Sequence, residues 1–167
     1  APRAPLMSLD DALQALLAHI QPLTIVESVA TLDADGRILA QDLVSALQVP
    51  AFDNSSMDGY AVRSADVQHL GSELTVTQRI AAGHFGEALL PGQAARIFTG
   101  APVPPGADAI VMQEQTEAVP GQDATRVRFL TTAEAGQWVR RSGEDVRAGE
   151  TVLQRGQKLG PAQLGLA

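Results

Sequence analysis

The stretch from Pro50 to Asp66, PAFDNSSMDGYAVRSAD, constrains the fold more than any other part of the chain. Asp53-Asn54-Ser55-Ser56 is too polar for a strand. It is also too rich in side chains that compete for backbone hydrogen bonds to sit inside a helix, so it reads as a loop. Asp58-Gly59 supplies a turn, because glycine tolerates positive φ and aspartate can bond its own backbone. Tyr60-Ala61-Val62 then starts a strand. A polar loop feeding a strand presents Asp58 on a rigid support, which suits binding or catalysis. Turn chemistry alone also accounts for Asn54, Ser55 and Asp58, so the residues by themselves leave both readings open.

Before this loop, Ser8 looks like a helix N-cap with Asp11 as its capping-box partner, and Asp10 and Asp11 suit the positive end of the helix dipole. Leu9, Leu13, Leu16, Leu17 and Ile20 recur at helical spacing, which predicts a helix over 8–21 with one apolar stripe, ended by Pro22. Thr24–Thr31 fits either a strand or a short helix. Asp35-Gly36 is a turn, and 37–40 with 43–44 reads as one or two short strands.

After the loop, 74–80 alternates as a strand, and 94–98 and 109–113 read as two more strands; the last is almost wholly apolar and should be buried. Between them lies Thr99-Gly100-Ala101-Pro102-Val103-Pro104-Pro105-Gly106. Three prolines and two glycines in eight residues enforce a stiff, irregular loop, with Thr99 presented at the end of a strand. Pro120-Gly121 signals a hairpin, 125–130 a strand, and Trp138 a half-buried ring. Arg140-Arg141-Ser142-Gly143-Glu144-Asp145 could clamp an anion and hold a metal, or could be a surface turn whose charges partly cancel. A further strand falls at 151–153. Pro161–Ala167 resembles the first turn of a helix that stops, so the natural protein is expected to continue.

At 167 residues the chain can form one domain with a sizeable core or two small ones. Aromatics are only 4% of it, so the core must rest on Leu, Val, Ile and Ala. A net charge of −7 speaks against wrapping a nucleic-acid backbone or docking on an anionic membrane. Without cysteine there can be no disulfide, thiolate metal site or cysteine nucleophile. No apolar run approaches the ~20 residues that cross a bilayer, and no signal-peptide pattern is present. The reading is a soluble, cytoplasmic protein. His19, His69 and His84 are scattered singly, as surface or packing residues are.

Four motifs carry a resemblance: PAFDNSSMDGYAVRSAD, AAGHFG, LLPGQAARIFTGAPVPPGADAIVMQE and RRSGEDVRAGETVL. In order and spacing they resemble the N-terminal half of the MoeA family of molybdopterin molybdenumtransferases, which includes the E domain of gephyrin. The resemblance implies a cytoplasmic, Mg²⁺-dependent homodimeric enzyme of molybdenum cofactor biosynthesis. Such an enzyme inserts molybdate into adenylylated molybdopterin, releases AMP, and can partner the molybdopterin adenylyltransferase. By motif position Asp58, Thr99 and Asp145 correspond to the family's catalytic residues, and Asn54 and Ser56 to substrate-binding positions. Asp58, Asp145 and Glu144 are the metal-ligand candidates. Ser56 stands where the family usually has alanine.

The implied fold is α+β and predominantly β, with short mixed sheets and an N-terminal helix. Residues 1–50 with 140–167 would form one discontinuous unit, with residues 51–139 as an inserted β-rich domain. The pterin-binding and C-terminal domains that follow in the family are absent, so the fragment alone is expected to be inactive. The alternative is a non-catalytic dimerisation or docking module of the same family.

Overall fold

A computed structural model describes residues 7–119 and 125–167. The hairpin expected at Pro120-Gly121 lies outside them. The chain forms two compact units: the described residues up to Ala40 with Gly156–Ala167, and Gln41–Arg155.

In the first unit, α1 spans Leu9–Leu17. Its cap is the expected one: the Asp11 amide donates to Ser8 Oγ at 3.1 Å, and that hydroxyl donates to Asp11 Oδ2 at 2.6 Å. The helix stops short of the predicted 21. Pro22 has no N–H to give the Ala18 carbonyl, and its ring would clash there, so Ala18 becomes the C-cap. No residue of α1 is buried; Leu9 is 83% exposed and Leu16 69%. The stripe is real, but none of its residues is buried among the described residues.

The stretch 24–30 adopts neither helix nor strand, and Thr31–Asp33 is a single 3-10 turn. Gly36, at φ 78°, turns the chain so that residues 36–39 run against 156–159. Gly36 N–H donates to Leu159 O at 2.8 Å, and Leu159 N–H donates to Arg37 O at 2.8 Å. The short helix α2, Pro161–Leu164, begins on its proline as expected.

The second unit holds ten strands: β1 Leu43–Val44, β2 Asn54–Ser55, β3 Gly59–Val62, β4 Glu73–Ile80, β5 Gln93–Ile97, β6 Ala109–Met112, β7 Thr116–Val119, β8 Arg126–Phe129, β9 Val139–Arg140 and β10 Thr151–Leu153. Six of them form one sheet in the order β6-β3-β5-β4-β8-β7, while β1 pairs with β10 and β2 with β9. Only β4 and β5 run parallel, which requires the crossover supplied by residues 81–92. The β1–β10 ladder keeps residues 41–50 and 140–155 in this unit.

Both faces of the large sheet are covered. Val62, Leu74, Val111, Val127 and Phe129 pack on one face, and Ala61, Ile80, Ala95, Ile97 and Ile110 on the other. The core is therefore aliphatic and alanine-rich, as the low aromatic content requires. The apolar strand 109–112 is buried as predicted. Trp138 is 40% exposed, at φ 54°.

One expectation changes its reason. Gly59 is not at positive φ but is the first residue of β3. It must be glycine because an added Cβ would lie 2.0 Å from the Val111 carbonyl oxygen.

Candidate functional site

The central loop is gripped from two sides. On one, Ser55 N–H donates to Ala101 O at 2.9 Å and Gly100 N–H donates to Ser55 O at 2.8 Å, while Val103 N–H donates to Asp53 O at 2.9 Å. On the other, Ser56 N–H donates to Trp138 O at 3.0 Å, and Asn54 lies opposite Arg140 in the β2–β9 ladder. Ser55 is buried and closes its own turn, its hydroxyl donating to Met57 O at 2.6 Å. The three polar stretches singled out in the sequence thus meet in space.

Asp58 and Thr99 are brought together directly. The Thr99 amide and hydroxyl both donate to Asp58 Oδ1, each at 2.8 Å. These two bonds, the amide first, hold the Asp58 carboxyl below the ordinary 3.8, and the charge of Arg96 adds to them. The pair is exposed, and both bonds fall on Oδ1, so Oδ2 accepts no hydrogen bond among the described residues. Thr99 therefore spends its hydroxyl proton on Asp58. The Thr99→Val variant should raise the Asp58 pKa while leaving it below 3.8, since the amide bond survives; carbon-detected NMR titration of the carboxyl measures this.

Asp145 sits in the 143–150 turn and pairs with Arg140. Glu144 accepts from the Arg141 amide at 3.0 Å. Neither is hydrogen-bonded to Asp58. Arg141 Nη1 donates to Asp53 Oδ2 at 2.6 Å, and Ser142 N–H donates to Asp53 Oδ1 at 2.8 Å. The twin arginines are thus each met by a carboxylate of this chain, which is the charge-cancelling alternative and not a free anion clamp. Sequence reasoning missed Asp53 as the lock between these loops; an acid on the central loop and an arginine pair downstream were its only signals.

The Ser142 amide, followed by Arg141, lowers the Asp53 carboxyl below 3.8 although its partial burial opposes this. A carboxyl depressed in the folded state stabilises the fold above its unfolded pKa and loses that contribution as pH falls through the folded value. Unfolding midpoints should therefore fall below about pH 4, and the fall should be smaller in Asp53→Asn. Denaturant titration at pH 7, 4 and 3 checks it.

Among the described residues no group of three or more His, Asp or Glu is arranged to hold a metal ion. The donor set does not fit a cage built from this chain alone. A single exposed carboxylate such as Asp58 offers the hard oxygen donor that Mg²⁺-type cations take.

A mixed sheet covered on both faces, with polar loops at its strand ends and one N-terminal helix, defines an α+β, mainly sheet class of protein. A family model for the MoeA N-terminal region (domain I and II) matches residues 7–167, and the chain belongs to that family. It is 38% identical over 161 residues to the molybdopterin molybdenumtransferase of Haemophilus influenzae, covering 96% of this chain and 39% of that protein. It is 48% identical over 139 residues to molybdopterin molybdenumtransferase 2 of Mycobacterium tuberculosis, covering 80% and 33%. The crystal structure of the molybdopterin biosynthesis moeA protein from Pyrococcus horikoshii OT3 superposes with a TM-score of 0.84 at 34% identity, covering 97% of this chain and 43% of that one. The chain therefore spans about two fifths of the relatives it matches, and its α+β, mainly sheet fold is theirs. No helix among the described residues is long and apolar enough to cross a membrane.

Proposed function

We propose that this chain is the N-terminal part of a cytoplasmic, homodimeric molybdopterin molybdenumtransferase, which inserts molybdate into adenylylated molybdopterin with release of AMP. Within it, Asp58, Thr99 and Asp145 serve catalysis, and Asn54 and Ser56 line the substrate. The observation that carries the reading is the exposed Asp58 carboxylate, fixed by two bonds from Thr99 and held ionised. A carboxylate that only closed a turn would not need an amide and a hydroxyl from a loop 41 residues away.

Mg²⁺, when bound, would neutralise the charge that builds on the phosphoanhydride as AMP leaves. Asp58 would hold it through Oδ2, with Asp145 and Glu144 acting through water. Thr99 fixes the direction of the Asp58 carboxylate, so its open oxygen needs no reorientation during the reaction. Arg140 holds Asp145, and the Asp53–Arg141 pair keeps the loop bearing Asp145 against the central loop. Molybdate-dependent AMP release by the whole transferase, made with and without Mg²⁺, tests the reading. Release that does not depend on molybdate would remove it.

A second reading, a docking or dimerisation module, is favoured by the exposed leucine stripe of α1. The two separate by variant. Loss of activity with the dimer intact in Asp58→Asn supports catalysis, and loss of the dimer supports the module.

A further inference from the structure

Two arginines near the Asp58–Thr99 pair form no salt bridge among the described residues. Arg79 on β4 and Arg96 on β5 are register partners in the parallel pairing, so their side chains leave the sheet on one face, next to each other. Like charges so placed repel. Each guanidinium carbon lies 4.4 Å from the centroid of the Phe98 ring, which precedes Thr99 in the chain. The other arginines of the large sheet, Arg126 and Arg128, both pair with Glu73.

Arg96 is held rigidly. Its Nη1 donates to Gly59 O at 2.7 Å and Ile97 O at 2.8 Å, and its Nη2 to Gln113 Oε1 at 2.5 Å. All three acceptors are neutral. They fix the group while leaving its charge and two of its five N–H donors unused. Arg79 is exposed and makes no ion pair among the described residues. The acid that responds to this cluster is Asp58, whose carboxyl the charge of Arg96 helps to lower. Neither guanidinium forms an ion pair among the described residues, and the Glu114 carboxylate reaches Arg96 only through Gln113.

We propose that Arg79 and Arg96, braced on Phe98, form a seat for a phosphoryl group beside Asp58. Guanidinium donors match the geometry of a tetrahedral phosphate oxyanion. A bound dianion would relieve the repulsion between the two cations. The fixed Arg96 supplies direction, and the exposed Arg79 closes on the ligand. That the occupant is a phosphate of the transferase substrate rests on the function proposed above; the affinity for a phosphoryl anion does not.

The test is an NMR titration of the ¹⁵N-labelled chain with inorganic pyrophosphate at constant ionic strength, and separately with molybdate. It follows the arginine Nε–H signals and the amides of Phe98 and Thr99. Saturating shifts are expected at Arg79 and Arg96. Arg79→Gln should weaken pyrophosphate about tenfold or more, the loss of a charge-assisted hydrogen bond, and Arg79→Lys should weaken it less. Shifts that do not saturate, equal affinity in Arg79→Gln, or tighter binding of molybdate than of pyrophosphate would overturn the seat. Because no turnover is needed, pyrophosphate binding by this chain together with no molybdate-dependent AMP release by the whole transferase would sink the transferase reading alone.

Discussion

Gly59→Ala is expected to yield no cooperatively folded second unit. An ideal Cβ there would stand 2.0 Å from Val111 O, 2.8 Å from Val111 C and 3.0 Å from Met112 Cα. All three are backbone atoms of β6, which cannot turn aside as a side chain can. β3 lies between β5 and β6 and pairs with both, Gly59 facing Ile97 on one side and Met112 on the other. Moving β6 outward would break its pairing with β3 and uncover Ile110 and Val111, both fully buried. A cost above about 4 kcal/mol is in the range reserved for such clashes. Urea unfolding followed by near-ultraviolet and far-ultraviolet circular dichroism measures it. Gly165→Ala is the control, because its added methyl meets its nearest neighbour at 3.5 Å and should change stability by less than about 0.5 kcal/mol. Equal stability of the two variants would show that the close approach at Gly59 is not tight.

Asp58→Asn in the whole transferase is the second large effect. The amide keeps an acceptor oxygen for the two Thr99 donors, so the loop should stay in place and stability should hardly change. What is lost is the negative charge on the open oxygen. A fall in molybdate-dependent AMP release of about 100-fold or more is expected, the scale seen when a pre-organised electrostatic group is removed. Asp58→Ala should lose activity and also free the Thr99 loop, which amide exchange at Thr99 would report. If Asp58→Asn turned over at the parent rate as a folded protein, the carboxylate would have no part in the chemistry.

Much of this molecule was legible in its residues because the signals are local. Ser8 with Asp11 marks a helix start whatever surrounds it, and alternation marks β4. The run of apolar residues at 109–112 announced a strand covered on both faces. The end of α1 was also a local matter, though it was set by the carbonyl that Pro22 cannot satisfy at Ala18 and not by the last apolar residue of the stripe.

Chain order cannot report which loops meet. The sequence by itself marked 53–58, 99–106 and 140–145 as polar stretches held by proline, glycine and Asx residues. The loop reading of 53–56 fails at Asn54–Ser55, which pairs with Val139–Arg140 as the two-residue strands β2 and β9, a distant pairing that local polarity cannot report. Only the tertiary structure decided that Thr99 gives both its donors to Asp58, that Asp53 and Asp145 neutralise the two adjacent arginines, and that Arg79 and Arg96 share one aromatic ring. It also changed the meaning of Gly59 from a turn former to a point of contact between strands. The reason is range. Turn and strand preferences act over a few bonds of the same backbone, whereas Asp58 and Thr99 are 41 positions apart and Asp53 and Arg141 88, and only the folded chain brings them within hydrogen-bond distance; Arg140 and Asp145, five apart, are the local exception.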